Sequence, residues 1–271
     1  MNCNDKKQSV GCPFIRDDGH GAPSLMSGKR LTVAVSIFLA ATPSPLLAGP
    51  PFLTDDPEPT ELGHWEIYSP LIEADGKGES FSGSVGAELN YGAAPNLQLT
   101  LGLPAAYEHG DTGWRWGAGD LAFSAKYRFY HDAAHGFSIA AFPSLTFPTG
   151  TNGMSTGKVT ALLPIWAQKD IGPWSIFGGG GYAINPGLGR RDYWTSGIAC
   201  TRSFSEHLLL GLEADRQGAD TKDGRGSTSL GFGAIYQLKT PLRLLASGGP
   251  SFDDAGGRAG FHAFAALGLD F

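Results

Sequence analysis

From residue 63 onward, apolar and polar residues alternate with a period of two, segment after segment. That period belongs to β-strands whose two faces meet different surroundings, and no 3.6-residue period competes with it. In NLQLTLGLPAAYE (96–108), Leu97, Leu99, Leu101, Leu103, Ala105 and Tyr107 share one face, against Asn96, Gln98, Thr100, Gly102 and Glu108. In DLAFSAKYRFY (120–130), Leu121, Phe123, Ala125, Tyr127 and Phe129 oppose Asp120, Ser124, Lys126 and Arg128, so the second face carries full charges. About twelve such segments follow one another, most of the roughly 9 to 11 residues that cross a membrane on a tilt.

The connections alternate as well. GAAPN, HDAAHG, DIGP, SEH and KTP are short; DGKGES, HGDTGWRW, PTGTNGMSTG, PGLGRRD, QGADTKDGRG and SFDDAGGR read as longer polar loops. Short turns at one end and long loops at the other predict an all-β protein, a transmembrane antiparallel β-barrel of about twelve strands over residues 63–271. A soluble β-sandwich would also alternate, but its wet faces would carry more Lys and Glu than these Ser-, Thr- and Gly-rich ones. In lipid every backbone polar group must be satisfied within the protein, which a sheet achieves by closing on itself. The chain ends in FHAFAALGLDF, where Phe271, Leu269, Leu267, Ala265, Ala263 and Phe261 form one lipid-facing row and Asp270, Gly268 and His262 point inward.

Composition fits a membrane surface. Charged residues are only 17% of the chain while hydrophobic residues reach 41%, below the roughly 25% charge of an average soluble domain. Ahead of the strands, Lys29 and Arg30 precede the apolar run LTVAVSIFLAA and a small residue at Ala48, the layout of an export signal over 26–48. A spanning helix would need about 20 apolar residues, and Pro43 and Pro45 interrupt the run. Residues 1–25 are polar and patternless, which reads as an extension ahead of a start at Met26. Without residues 1–48 the chain keeps 15 basic and 23 acidic residues, a net charge of −8. No basic face remains for nucleic acid. Cys200 is then the one cysteine left, so no internal disulfide framework is expected. The Pro-rich stretch 49–62 is unsuited to a strand; it either folds into the lumen as a plug or hangs in the periplasm.

GPPFLTDDPEPTELGHWEIY, GAGDLAFSAKYRFY, LTFPTGTNGMSTGK and WSIFGGGGYAIN, in that order, resemble the MetA-pathway of phenol degradation family. The resemblance implies a barrel in the outer membrane of a Gram-negative bacterium, loosely linked with uptake of small, often aromatic compounds and often labelled transporter. It supplies no catalytic residues. The terminal aromatic, Phe271, likewise resembles the signal by which such barrels are handed to their assembly machinery; outer-membrane lipid and small solutes are the other expected partners.

Candidate chemistry is sparse. GMSTG (153–157) matches G-x-S-x-G, but a strand rather than a helix follows it, so Ser155 is not in the strained strand-to-helix turn of a hydrolase. His131 and His135 stand four apart without the helix that would make the spacing a metal site. ADTKDG has too few alternate carboxylates for Ca²⁺, and no helix follows FGGGG to form a phosphate site. Neither cofactor nor metal is expected, and no enzymatic activity. The informative set is the charged face: Glu66, Glu88, Glu108, Asp120, Lys126, Arg128, Lys158, Glu213, Asp215 and Arg243 should line the lumen. There they pair across the interior, filter solutes by charge, or do both. The leading expectation is a channel or transporter for small molecules, aromatic or hydrophobic compounds among them. The alternatives are a barrel-type lipid hydrolase, with His64, His207 or His262 as partner to a serine, and a purely structural barrel.

Overall fold

The computed structural model describes residues 51–111, 113–151, 153–255 and 258–271. Residues 26–48, expected to be an export signal, and the expected extension 1–25 lie outside the described residues. Every regular element among the described residues is a strand: β1 (Trp65–Lys77), β2 (Ser80–Ala94), β3 (Leu97–Gly110), β4 (Gly113–Ala118), β5 (Leu121–Asp132), β6 (Phe137–Ala141), β7 (Ser144–Phe147), β8 (Thr160–Ile171), β9 (Trp174–Ile184), β10 (Tyr193–Ser203), β11 (Leu208–Gln217), β12 (Ser227–Lys239), β13 (Leu242–Asp253) and β14 (Arg258–Asp270). β4 and β5 both pair with β3 and are two stretches of one stave, broken at Gly119 and Asp120. β6 and β7 share β5 and β8 as neighbours and form another, broken at Phe142 and Pro143, where proline has no N–H for the ladder. Twelve antiparallel staves result, as the alternation predicts.

The sheet closes. β1 pairs with β2 on one side and β14 on the other, from Glu66↔Asp270 to Gly76↔Phe261. At the foot of this seam Trp65 N–H donates to the Phe271 carbonyl at 3.0 Å and Phe271 N–H returns the bond at 2.9 Å. Inside against outside is then decided residue by residue. Leu212 is 63% exposed whereas its neighbour Glu213 is 5% exposed, an inversion of soluble-protein burial that only hydrocarbon outside the ring makes favourable. Phe123, Ile165, Ile198, Phe232 and Leu244 present the same outer face.

Both ends of the described ring lie on the short-turn side, with connections at 95–96, 133–136, 172–173, 204–207 and 240–241. At the other end the loops 148–159, 185–192 and 218–226 are long. Two stretches read as long loops are instead hairpin tips: β1 runs through Lys77 to a two-residue turn, and GWRWGA forms β4. Alternation there is carried by Trp114 and Trp116, whose rings stack at 6.1 Å beside Tyr107 and Phe81. With Phe261 against Phe81, they form the aromatic girdle expected where a barrel meets the lipid headgroups.

One irregularity re-sorts a whole half-strand. At Ser69 and Pro70, β1 carries one residue more than both neighbours, so that Tyr68 pairs with Glu88 and Leu71 with Gly86. A one-residue bulge exchanges the faces beyond it. Glu66 and Tyr68 face inward below it, and Leu71, Glu73 and Asp75 above.

A charge on the outer face should be costly. Phe232→Lys is expected to lower stability by about 2 to 4 kcal/mol if it meets the bilayer midplane, measured by reversible urea unfolding in lipid vesicles.

Candidate functional site

The lumen is built by the inward faces of the staves, and residues 51–64 occupy its short-turn half. Thr54, Asp56, Pro51 and Pro57 are fully buried there. Glu213 of β11 accepts the backbone N–H groups of Leu53 at 3.2 Å and Thr54 at 3.0 Å. Gln98 of β3 accepts both N–H and O–H of Thr60, at 2.8 and 3.0 Å, and Ser247 of β13 donates to the Pro51 carbonyl. Lys126 of β5 reaches Asp55 at 2.9 Å, Asp56 at 3.7 Å and the Glu58 carbonyl at 3.3 Å, while Arg128 pairs with the Glu58 carboxylate. Ser138 completes that cluster, donating to Glu58 at 2.8 Å.

Apolar packing fixes the same segment. Tyr68, Leu71, Leu209, Ile235, Leu245 and Ala266 form a buried cluster on the inner wall, and Phe52 packs against it and edge-on to Phe177 at 6.1 Å. The wall glycines make room. A Cβ on Gly211 or Gly233 would lie 2.5 or 2.6 Å from the Phe52 ring, and one on Gly197 would lie 2.1 Å from Thr54 Oγ1. Strict alternation predicts a polar inner face throughout; the apolar patch under Phe52 departs from it because the inserted segment needs its own core.

The remaining charges on the inner wall separate into four groups. Arg243 ties the closing seam, donating to Tyr68 at 2.6 Å and lying 3.1 Å from both Glu66 and Asp270. Glu88, hydrogen-bonded by Asn90 at 3.0 Å, lines a cavity of about 340 Å³ together with Glu73, Asp75, Lys126 and His262. Asp215 stands near His262 and Glu213. Glu108 pairs with Arg115 of β4 at a second cavity of about 650 Å³ in the long-loop mouth.

One residue expected on the wall is not on it. Lys158 lies in the 148–159 loop, exposed, because β8 begins only at Thr160 and the alternation does not reach back into the loop. Asp120 sits inward in the break between β4 and β5 of one stave and holds that same loop, accepting from Gly150 N–H at 2.9 Å, Thr156 N–H at 2.7 Å and Thr156 O–H at 2.8 Å. The loop folds against the inward-facing side of β4: Thr151 N–H donates to the Ala118 carbonyl at 3.0 Å, and a Cβ on Gly117 would sit 1.9 Å from Thr151 Oγ1.

The other candidates have local partners. Ser155 accepts from Gly157 N–H at 3.0 Å and bonds Asp120. His131 meets Ser138 at 2.9 Å and His135 meets Asp132 at 2.7 Å. The four glycines 178–181 lie within β9. Among the described residues no three His, Cys, Asp or Glu side chains gather as a metal site.

A lumen with a segment inserted from one end and a loop folded in from the other defines a transmembrane β-barrel of the outer-membrane type. The sequence pattern of the family described as "Putative MetA-pathway of phenol degradation" matches residues 82–265, and the chain belongs to that family. Its fold is similar to the COG4313 outer membrane channel from Pseudomonas putida F1, with a TM-score of 0.67, 14% identity, and coverage of 83% of this chain and 100% of that one. It is also similar to the KdgM porin, at a TM-score of 0.53, 10% identity and coverage of 76% and 99%. The translocator domain of the autotransporter NalP from Neisseria meningitidis follows, at 0.51, 13%, 76% and 88%. No curated protein sequence matches the chain.

Asp120→Ala should free the 148–159 loop, and trypsin should then cut after Lys158 faster, by roughly tenfold if hydrogen bonds to a charged acceptor are lost.

Proposed function

We propose that this protein passes small molecules across the outer membrane, aromatic or hydrophobic compounds among them, by a path through the barrel lumen that residues 51–64 obstruct. The observation that carries the reading is the way this segment is held. Its contacts are noncovalent, through Lys126, Arg128, Glu213, Gln98 and the Phe52 pocket. Above it the interior opens into cavities of about 340 and 650 Å³ leading to the long-loop mouth. Short turns face the periplasm in such barrels, so the segment obstructs the periplasmic exit. Twelve staves lie between small barrels filled by side chains and porins of 16 to 18 strands with open channels, a size at which an inserted segment closes much of the bore. The family's association with phenol degradation supports aromatic compounds as solutes.

A lipid hydrolase would need a serine, a histidine and an orienting group together. Ser155 is engaged with Gly157 and Asp120 instead, which favours transport.

Planar-bilayer conductance tests the reading. A form lacking residues 51–60 should conduct severalfold more than the full chain, and unchanged conductance would refute obstruction. Lys126→Met should behave alike, since it leaves the buried Asp56 and the half-buried Asp55 without their cation, a loss of about 3 to 5 kcal/mol. Liposome swelling with small aromatic solutes reads permeation directly; no permeation of any solute by either form would leave a structural barrel.

A further inference from the structure

We infer that the chamber above residues 51–64 is a binding site for small organic cations: ammonium compounds with an apolar, aromatic-sized body. The inference rests on the channel reading for the path to the site, but not for the binding itself.

Charge and burial point the same way. The chamber of about 340 Å³ is lined by Glu66, Glu73, Asp75, Glu88, Asp55 and Glu58. The basic groups at its floor are committed elsewhere: Lys126 to Asp55 and Asp56, Arg128 to Glu58, and Arg243 to Glu66 and Asp270. Lys77, Arg115 and Arg225 line the outer mouth instead. Among the described residues, Glu73, Asp75 and Glu88 therefore face the chamber with neutral hydrogen-bond partners at most, Ser84 for Glu73 at 2.9 Å and Asn90 for Glu88 at 3.0 Å. Such a set attracts a cation and repels carboxylates and phenolates.

A second observation, independent of the carboxylates, is His262. It lies opposite Asp75 across the β1–β14 seam and is 7% exposed, and neither ring nitrogen finds a partner among the described residues. Asp215, whose Oδ2 is likewise buried and unpartnered, interacts with it electrostatically. Buried polar groups in native proteins are normally satisfied. An ammonium group offers up to three N–H donors, which suit an imidazole nitrogen and the Asp75 carboxylate together. Tyr68, Leu71, Phe142, Phe264 and Phe52 supply the apolar and aromatic wall that would receive the body of the solute. The cavity volume falls in the ordinary range for small-molecule sites.

The test uses the detergent-solubilised full chain and two probes of like size and opposite charge, 2-phenylethylammonium and phenylacetate, titrated calorimetrically. The ammonium should bind and phenylacetate should not. Asp75→Asn should weaken ammonium binding roughly tenfold or more, as loss of a hydrogen bond to a charged group does. The exposed-loop variant Asp111→Asn should leave binding unchanged. Heat-modifiable gel mobility checks folding, and His262→Leu replaces Asp75→Asn should the latter fail to fold. Equal or tighter binding of phenylacetate, or affinity unchanged in the folded variant, overturns the inference. Ammonium binding to the full chain with no conductance from either the full chain or the form lacking residues 51–60 would refute the channel reading alone, whereas conductance of the shortened form with no binding of 2-phenylethylammonium to the full chain would refute the cation site alone.

Discussion

Hydrocarbon offers no hydrogen-bond partner to a peptide N–H or C=O, and nearly everything in this structure answers that constraint. A sheet in lipid must leave no free edge, so β1 and β14 pair on both sides of the bulge at Ser69 and Pro70 and exchange bonds between Trp65 and Phe271. Closure then fixes the two environments. Outward positions take Leu, Phe, Ile and Trp, and inward positions take what lipid rejects. The Arg243 cluster shows the two levels joined, since one guanidinium from β13 reaches Tyr68 and Glu66 on β1 and Asp270 on β14, holding from inside the seam that the backbone closes.

The interior has its own accounts to settle. Lys126 and Arg128, turned inward, would be unpaired charges in a confined space, and the inserted segment supplies Asp55, Asp56 and Glu58 to them. Proline suits this segment for a simple reason. Pro51, Pro57 and Pro59 are buried and bring no N–H that would need a partner, while the N–H groups of Leu53, Thr54 and Thr60 find Glu213 and Gln98. Ion pairs and Phe52 together hold the segment, with no strand pairing beyond the Leu62–Gly92 bridge.

Alternation carries the barrel and its stave number, because side-chain direction in a strand follows directly from position. It failed where direction is not periodic. The bulge at Ser69 and Pro70 adds one residue, so Glu73 and Asp75 face inward although parity from Glu66 puts them in lipid; the proline was the available signal. Lys158 stands before the start of β8, where the period no longer governs direction. His262 was placed inward correctly, yet its lack of partners depends on which side chains converge from β1 and β11, which one strand's pattern does not record. Phe52 and its pocket were equally hidden, since Leu209, Ile235 and Leu245 come from three separate strands.

Residues 51–64 run directly into β1 through Gly63, whose φ of 81° turns the chain, with Trp65 already in the wall. A released segment would therefore stay on a leash of fourteen residues, at most about 50 Å when stretched. Tethering at this length corresponds to a local concentration in the millimolar range, whatever the number of molecules in the membrane. Re-docking is thus a first-order event, and any opening that depends on displacement is self-reversing without a second component to restore it.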